Sequence, residues 1–317
     1  MWGNMKRKTS QLFAALAVAM LTLSGFALAQ APAPTSASAP MTVSVPQLSE
    51  KDFQLWVAKS NAYVDLLNDS TRALDSMHRY ASWVDMKAGP NGKERYISYG
   101  LYSVEPTGAA RVIAKAREAA NAAPPIPPLD DAARAYAASF ETLVPLLNDA
   151  TGYYGRKDYT DDKMAGGKAL HAKLLPAANA FYASRARLEA GQEQLSDGLA
   201  RQELALIEAR EGKSKRWHIR HLAIAAKATI DAMPRDKNVR DMTAFSQAIV
   251  ALAGAVRDYD EGSKTFGGGD ASNARELLAR FRTLREKIEQ KDASSSDFES
   301  VVGQYNAVVG WMNSSLH

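Results

Sequence analysis

Tyr153, Tyr154, Asp158, Tyr159, Asp161, Asp162 and His171 crowd into one short stretch near the middle of the chain. Three carboxylates so close together have the oxygen donors that a hard cation such as Ca²⁺ takes, and His171 would widen the set toward a transition metal. The spacing does not fit the twelve-residue calcium loop, and no glutamate stands at its closing position. The competing reading places Asp161 and Asp162 in the first turn of a long helix, where negative charge complements the helix dipole. Tyr153, Tyr154 and Tyr159 have the faces and hydroxyls to line a groove for a sugar or peptide, or to pack a turn against a core. Gly166-Gly167-Lys168 has the look of a phosphate loop. Asp162 stands where that motif needs its first glycine and Ala169 where it needs Ser or Thr, so the two glycines read as a place where a neighbouring element comes close. His171 then reads as a hydrogen-bonded histidine between helices.

His218 and His221 form a second candidate set. Their i, i+3 spacing puts both rings on one helical face, a geometry that can hold a transition metal. No H-E-x-x-H or E-x-x-H occurs in the chain, and Lys213, Lys215, Arg216 and Arg220 around the pair read as a solvated basic face. No G-x-S-x-G is present, and with no cysteine the chain can hold neither a disulfide, a thiolate metal site nor a cysteine nucleophile. The residues thus point to no catalytic constellation and call for no cofactor. They leave two alternatives open: a non-catalytic binding or scaffold module, or a metal-binding protein using His171 with Asp158, Asp161 or Asp162, or the His218/His221 pair.

The elements that must position these residues follow from composition and punctuation. The 317 residues are 46% apolar and 23% charged, which suits a packed globular chain. Residues 1–29 have the three parts of a secretory signal: basic Lys6-Arg7-Lys8, an apolar core from Leu12 to Phe26, and Ala27-Leu28-Ala29 for cleavage before Gln30. That core is shorter than the roughly 20 residues of a spanning helix. The expected product is a soluble chain in the periplasm of a bacterium. Removing the leader takes three of the 39 basic residues, leaving 36 against 35 acidic, a balance that argues against a nucleic-acid partner. The expected partner is an envelope protein or a small ligand. Residues 30–48, rich in Ala, Pro and Ser, read as a flexible tether, and residues 49–317 as a single helical domain.

Within that domain the apolar period is helical almost throughout. Ser49-Glu50-Lys51-Asp52 opens one long helix carrying Phe53, Trp56, Tyr63, Leu67, Met77, Tyr80 and Val84, stopped at Gly89-Pro90. Residues 93–105 read as an ordered loop laid over the helices. A helix follows to Asn121, then a proline connector, then a helix capped at Leu129-Asp130-Asp131 that runs into Tyr153-Tyr154. A run from Asp161 to about Met233, punctuated by Pro176, Gly191, Gly198 and Gly212, predicts one long bent helix, about 100 Å if straight. Three more helices lie within 239–266, 270–290 and 295–315. Short links return successive helices, so the predicted fold is all-α: an elongated up-and-down antiparallel bundle around that central helix.

Several of these residues also resemble a known family. Asn61-Ala62-Tyr63 through Tyr80, Trp83, and Lys93 to Val104 match its opening. Leu147-Asn148, Tyr153-Tyr154, Lys157-Asp158-Tyr159, Asp161-Asp162, Gly167-Lys168 and His171 match its middle, and Phe298, Tyr305-Asn306 and Asn313 its end. This pattern, covering most of Ser49 to Ser315, is similar to the YiiG-like family of bacterial envelope proteins, built around a domain of unknown function. Its members often look like lipoproteins, so the resemblance implies an envelope role; this chain has no cysteine to acylate. The resemblance implies no activity, and no catalytic residue is carried over.

Overall fold

Ser49 begins the first helix as its sequence predicts: its hydroxyl accepts from the Asp52 amide and donates to the Asp52 carboxylate, so one orphan helical N–H is satisfied. The computed structural model describes residues 41–235, 239, 241–267 and 269–315, so the leader and the first part of the tether lie outside the described residues. The described chain is helical, with no strand among the described residues. It divides into two compact units, 41–196 and 197–315. The helix α5 (Ala165–Glu211) contributes to the first through Ser196 and to the second from Asp197.

The first unit holds α1 (Glu50–Asp69), α2 (Thr71–Ala81), α3 (Pro106–Asn121), α4 (Leu129–Arg156) and the beginning of α5. The apolar stripe of residues 53–84 predicts one helix, but the structure makes two. The break is at Ser70, which is fully buried and linked across three helices. Its hydroxyl donates to Leu67 O at 2.9 Å and meets Tyr136 Oη at 2.5 Å. Arg185 from α5 donates Nη1 to Leu67 O, Ser70 Oγ and Tyr136 Oη. A cation placed on the last carbonyls of α1 satisfies groups that a helix end leaves orphaned and complements its dipole. That gain lies in contacts distant in sequence, and hydrophobic period does not register it.

Asp130 departs further from expectation. It does not cap α4 at the surface; it is 3% exposed, and its carboxylate accepts from Lys59 Nζ (2.8 Å), Tyr63 Oη (2.5 Å) and the Ile126 amide (2.8 Å). Residues 93–105 do form an ordered loop, with one 3₁₀ turn at Ile97–Tyr99. Trp83 Nε1 donates to Gly100 O, Ser76 pairs with the Tyr102 backbone in both directions, and Asn148 does the same with Val104. The last part of the expected tether is also tied down: Val43 is buried, and the Gln194 side chain bonds Val43 N and Met41 O.

The second unit holds the rest of α5 with α6 (Lys215–Asp231), α7 (Thr243–Phe266), α8 (Ser272–Glu289) and α9 (Ser295–Ser314). α6 packs on α7, α7 on α8, α8 on α9, and α9 returns to α6. Leu222, Ala226 and Ile230 of α6 meet Phe245, Ile249, Leu252 and Val256 of α7, Leu277, Phe281 and Leu284 of α8, and Val301, Val308 and Met312 of α9 in one core. These are the three- and four-residue spacings read from the sequence. Ser294 and Asp297 form the expected capping box. The expected run to Met233 is interrupted, however. α5 continues through Pro176, Gly191 and Gly198 but ends at Glu211, because Gly212 takes φ +65°, a left-handed conformation open to glycine at little cost. Ser214 then caps α6 by accepting from the Trp217 amide.

The Lys59–Asp130 pair has a testable consequence. Lys59→Met leaves a buried carboxylate without its cation and is expected to lower the unfolding free energy by about 3–5 kcal/mol in urea titrations. The double substitution Lys59→Met/Asp130→Leu is expected to recover a large part of that loss. Equal destabilisation by single and double variants would show that the charge pair is not what makes the single variant unstable.

Candidate functional site

The junction between α4 and α5 is built by a left-handed turn at each end. Lys157 (φ 62°) closes α4, Asp158–Thr160 makes one 3₁₀ turn, and Lys163 (φ 52°) and Met164 (φ 71°) reverse the chain again. α5 therefore starts at Ala165, four residues later than Asp161. Asp162 keeps the capping role from outside the helix: its carboxylate accepts from the Gly166 amide (2.8 Å) and from Tyr153 Oη (2.8 Å). Met164 is 1% exposed, so the left-handed turn carries its side chain into the core.

Tyr153 and Tyr154 are buried here, and their rings meet edge to face at 5.0 Å. The cluster continues through Tyr159 (6.5 Å from Tyr153, 6.2 Å from Tyr154), Trp83 (5.0 Å from Tyr154) and Tyr80 (5.3 Å from Trp83). Such ring pairs each contribute about 0.5–1.5 kcal/mol beyond their buried area. Gly166 and Gly167 admit the rings to the start of α5. A Cβ on Gly167 would lie 2.9 Å from Tyr154 Oη and 3.2 Å from Tyr153 Cε1, and one on Gly166 would lie 2.7 Å from Tyr153 Cε2. The two small residues thus serve close approach, as their failed phosphate-loop pattern suggested.

His171 sits at the inner edge of the cluster, 8% exposed, with Nδ1 3.0 Å from Tyr80 Oη. Its ring lies against Gly89. Burial lowers its pKa, partly offset by the Met86 carbonyl and Asp85. Burial pushes the phenols of Tyr80 and Tyr153 up to about 12, with the Asp162 hydrogen bond adding to the shift on Tyr153. Tyr154 is raised as well, by burial first. All three are neutral at physiological pH, the wrong state for a base.

The structure does not gather His171 with the aspartates. Asp158 pairs with Arg156 at 2.6 Å, Asp161 is exposed, and Asp162 faces Tyr153 and Gly166. Among the described residues no group of three His, Cys, Asp or Glu stands close enough to share an ion. The basic face expected around His218 and His221 is also corrected. His218 is 7% exposed, packed edge to face on Trp217 at 5.0 Å and tilted on Phe266 at 5.3 Å. Arg220 is 3% exposed and pairs with buried Glu203, which also lies 3.6 Å from Arg216. His221 Nδ1 is 3.8 Å from Asp258. These cations turn inward because α5 supplies a buried carboxylate, a partner on another helix that local charge counting does not see. Burial lowers the pKa of both histidines.

One set of surface residues escaped the sequence reading. Tyr96, Tyr99 and Tyr102 recur every third residue, and Arg72 and Arg79, seven apart, share one face of α2. The loop brings these two series together.

Fold and junction together define an all-α bundle protein whose most distinctive polar and aromatic residues close a helix–turn–helix corner. The chain belongs to the family described as "Protein of unknown function (DUF3829)", whose model matches residues 54–312. It is similar to "Uncharacterized protein YiiG" of Escherichia coli (strain K12), 27% identical over 304 residues that cover 90% of this chain and 86% of that protein. No solved structure matches the chain.

Two outcomes test the packing of the junction. Gly167→Ala is expected to lower stability by about 1–3 kcal/mol through overpacking on Tyr153 and Tyr154, although alanine is the better helix former; a thermal melt equal to or above that of the parent would refute the close approach. The histidines fix a pH dependence. Their folded-state pKa values lie below the unfolded value of about 6.5, so the unfolded chain binds more protons as pH falls. Stability is therefore complete above about pH 6.5 and is lost as pH drops below it. A melting temperature unchanged between pH 7.5 and pH 5, or a drop of the same size in His171→Gln, would contradict a role for His171 in that loss.

Proposed function

We propose that the protein is an exported, non-catalytic binding or scaffold module of the bacterial cell envelope. The observation that carries the non-catalytic reading is how the junction engages its polar groups. Tyr153 and Gly166 occupy Asp162, Tyr80 faces His171, and the rings fill a core, so the most reactive-looking residues are engaged in holding a corner. Export is supported by the basic, apolar and small-residue parts of residues 1–29. No helix among the described residues is long and apolar enough to cross a membrane. What the junction leaves open to a ligand is its rim, Tyr159 with Asp158 and Asp161, where Tyr153 and Tyr154 support the turn from beneath.

The test is made on the full-length gene product expressed in its own host. Osmotic-shock fractions are expected to contain the protein, with a mature N-terminus at Gln30 by mass spectrometry. Retention of Lys6-Arg7-Lys8 on the recovered chain would overturn cleavage before Gln30, and recovery in the cytoplasmic fraction alone would overturn export.

A further inference from the structure

An exposed ladder of alternating guanidiniums and phenol rings runs over the surface of the first unit. The Arg72 guanidinium lies 3.9 Å from the Tyr102 ring centre, and Arg79 lies 4.4 Å from Tyr102 and 5.5 Å from Tyr99. Tyr99 stacks on Tyr96 at 5.0 Å with only 20° between the planes, and Arg95 covers Tyr96 at 5.2 Å. Tyr96 and Tyr99 are 41% and 47% exposed, unusual for adjacent aromatic residues in a chain that buries most others. The array is held in place: Arg79 donates Nε to Tyr99 O (2.7 Å) and Nη1 to Tyr102 Oη (2.6 Å). Ser76 pins Tyr102 from below.

The arginines of the ladder differ from most others on this unit. Arg111, Arg117, Arg134 and Arg156 each hold a carboxylate. Arg72, Arg79 and Arg95 form no ion pair with a described carboxylate; Asp75, which lies between two of them on α2, pairs with neither. A guanidinium stacked on a ring keeps its in-plane N–H groups directed outward, and these bind oxyanions in a two-pronged geometry. Stacking also removes rotamer freedom before any ligand arrives, which lowers the cost of binding.

We propose that this ladder binds an oxyanion-bearing polysaccharide, with the arginines taking its carboxylate or phosphate groups and the exposed tyrosine hydroxyls its sugar hydroxyls. A single-stranded nucleic acid is the less favoured occupant. Base recognition needs open aromatic faces, and here Tyr96 and Tyr99 stack on each other, with Arg95 close to the first ring and Arg79 to the second. The near balance of charge after residues 1–29 also lacks the broad positive field of a nucleic-acid protein. An envelope source for the glycan rests on the export reading; affinity for the glycan does not.

Isothermal titration calorimetry of the purified chain tests this with a galacturonan oligomer, an uncharged galactan of equal length and an oligothymidylate. The galacturonan is expected to bind, more weakly as salt rises, and the galactan not to. Arg72→Gln/Arg95→Gln, which leaves Arg79 and its loop contacts intact, is expected to weaken binding about tenfold or more, with an unchanged circular dichroism spectrum and melt. Absence of galacturonan binding, equal affinity in the double variant, or tighter binding of oligothymidylate would each overturn the proposal. None of these results depends on where the protein resides, so export stands or falls separately in the fractionation experiment.

Discussion

The packing of α1 on α4 in the first unit depends on the Lys59–Asp130 pair. Both side chains are almost fully withdrawn from water. Desolvating two charges costs several kcal/mol each, and attraction between them offsets that only when geometry is good and further hydrogen bonds are made. Tyr63 and the Ile126 amide complete the set around the carboxylate. One arrangement of α1, the proline connector and α4 satisfies all four groups together. Sliding α1 by a turn would preserve its apolar face against the core but strand Asp130. The pair thus contributes register, which a stripe of similar apolar residues specifies weakly.

Arg185 does comparable work at the other end of α1. It adds a charged donor to the Leu67 carbonyl and to the buried hydroxyls of Ser70 and Tyr136, which already bond one another where the helix breaks. Burial raises the pKa of Tyr136, so a neutral phenol shares this cation. The second unit repeats the tactic with Arg220 and Glu203, and with Lys227 held by Asp197 and Asp231. In both units a charged group from α5 or its partners does what apolar packing cannot: it selects one alignment of helices among several with similar buried area.

The α4–α5 corner shows why a concentration of reactive side chains need not be a reactive site. Its tyrosines, aspartate and histidine are the residues an enzyme would use, and they also suit a tight reversal between two long helices. Aromatic rings fill the wedge, glycines let them in, and a carboxylate caps the departing helix. What stays available to other molecules is the outer surface, including the arginine–tyrosine ladder, where polar groups are ordered but not consumed.

Helical period, cap residues and glycine or proline stops were sufficient for the all-α class and most boundaries, because these are local preferences summed along each segment. Ser49, Ser294 with Asp297, and the core positions of α8 act within a few residues of themselves and were legible for that reason. So was the close approach at Gly166-Gly167. The split at Ser70, the burial of Asp130, Arg220 and His218, and the late start of α5 were not. Each follows from a partner on a different helix: Arg185, Lys59, Glu203, the ring of Phe266, or the pocket that accepts Met164. The ladder was hidden in the same way, since its arginines and tyrosines belong to a helix and a loop that meet only in the fold. Sequence by itself determined which segments are helices and which faces are apolar. Tertiary structure decided where the charges went, because a buried ion is tolerated only opposite a partner, and that partner is supplied by folding.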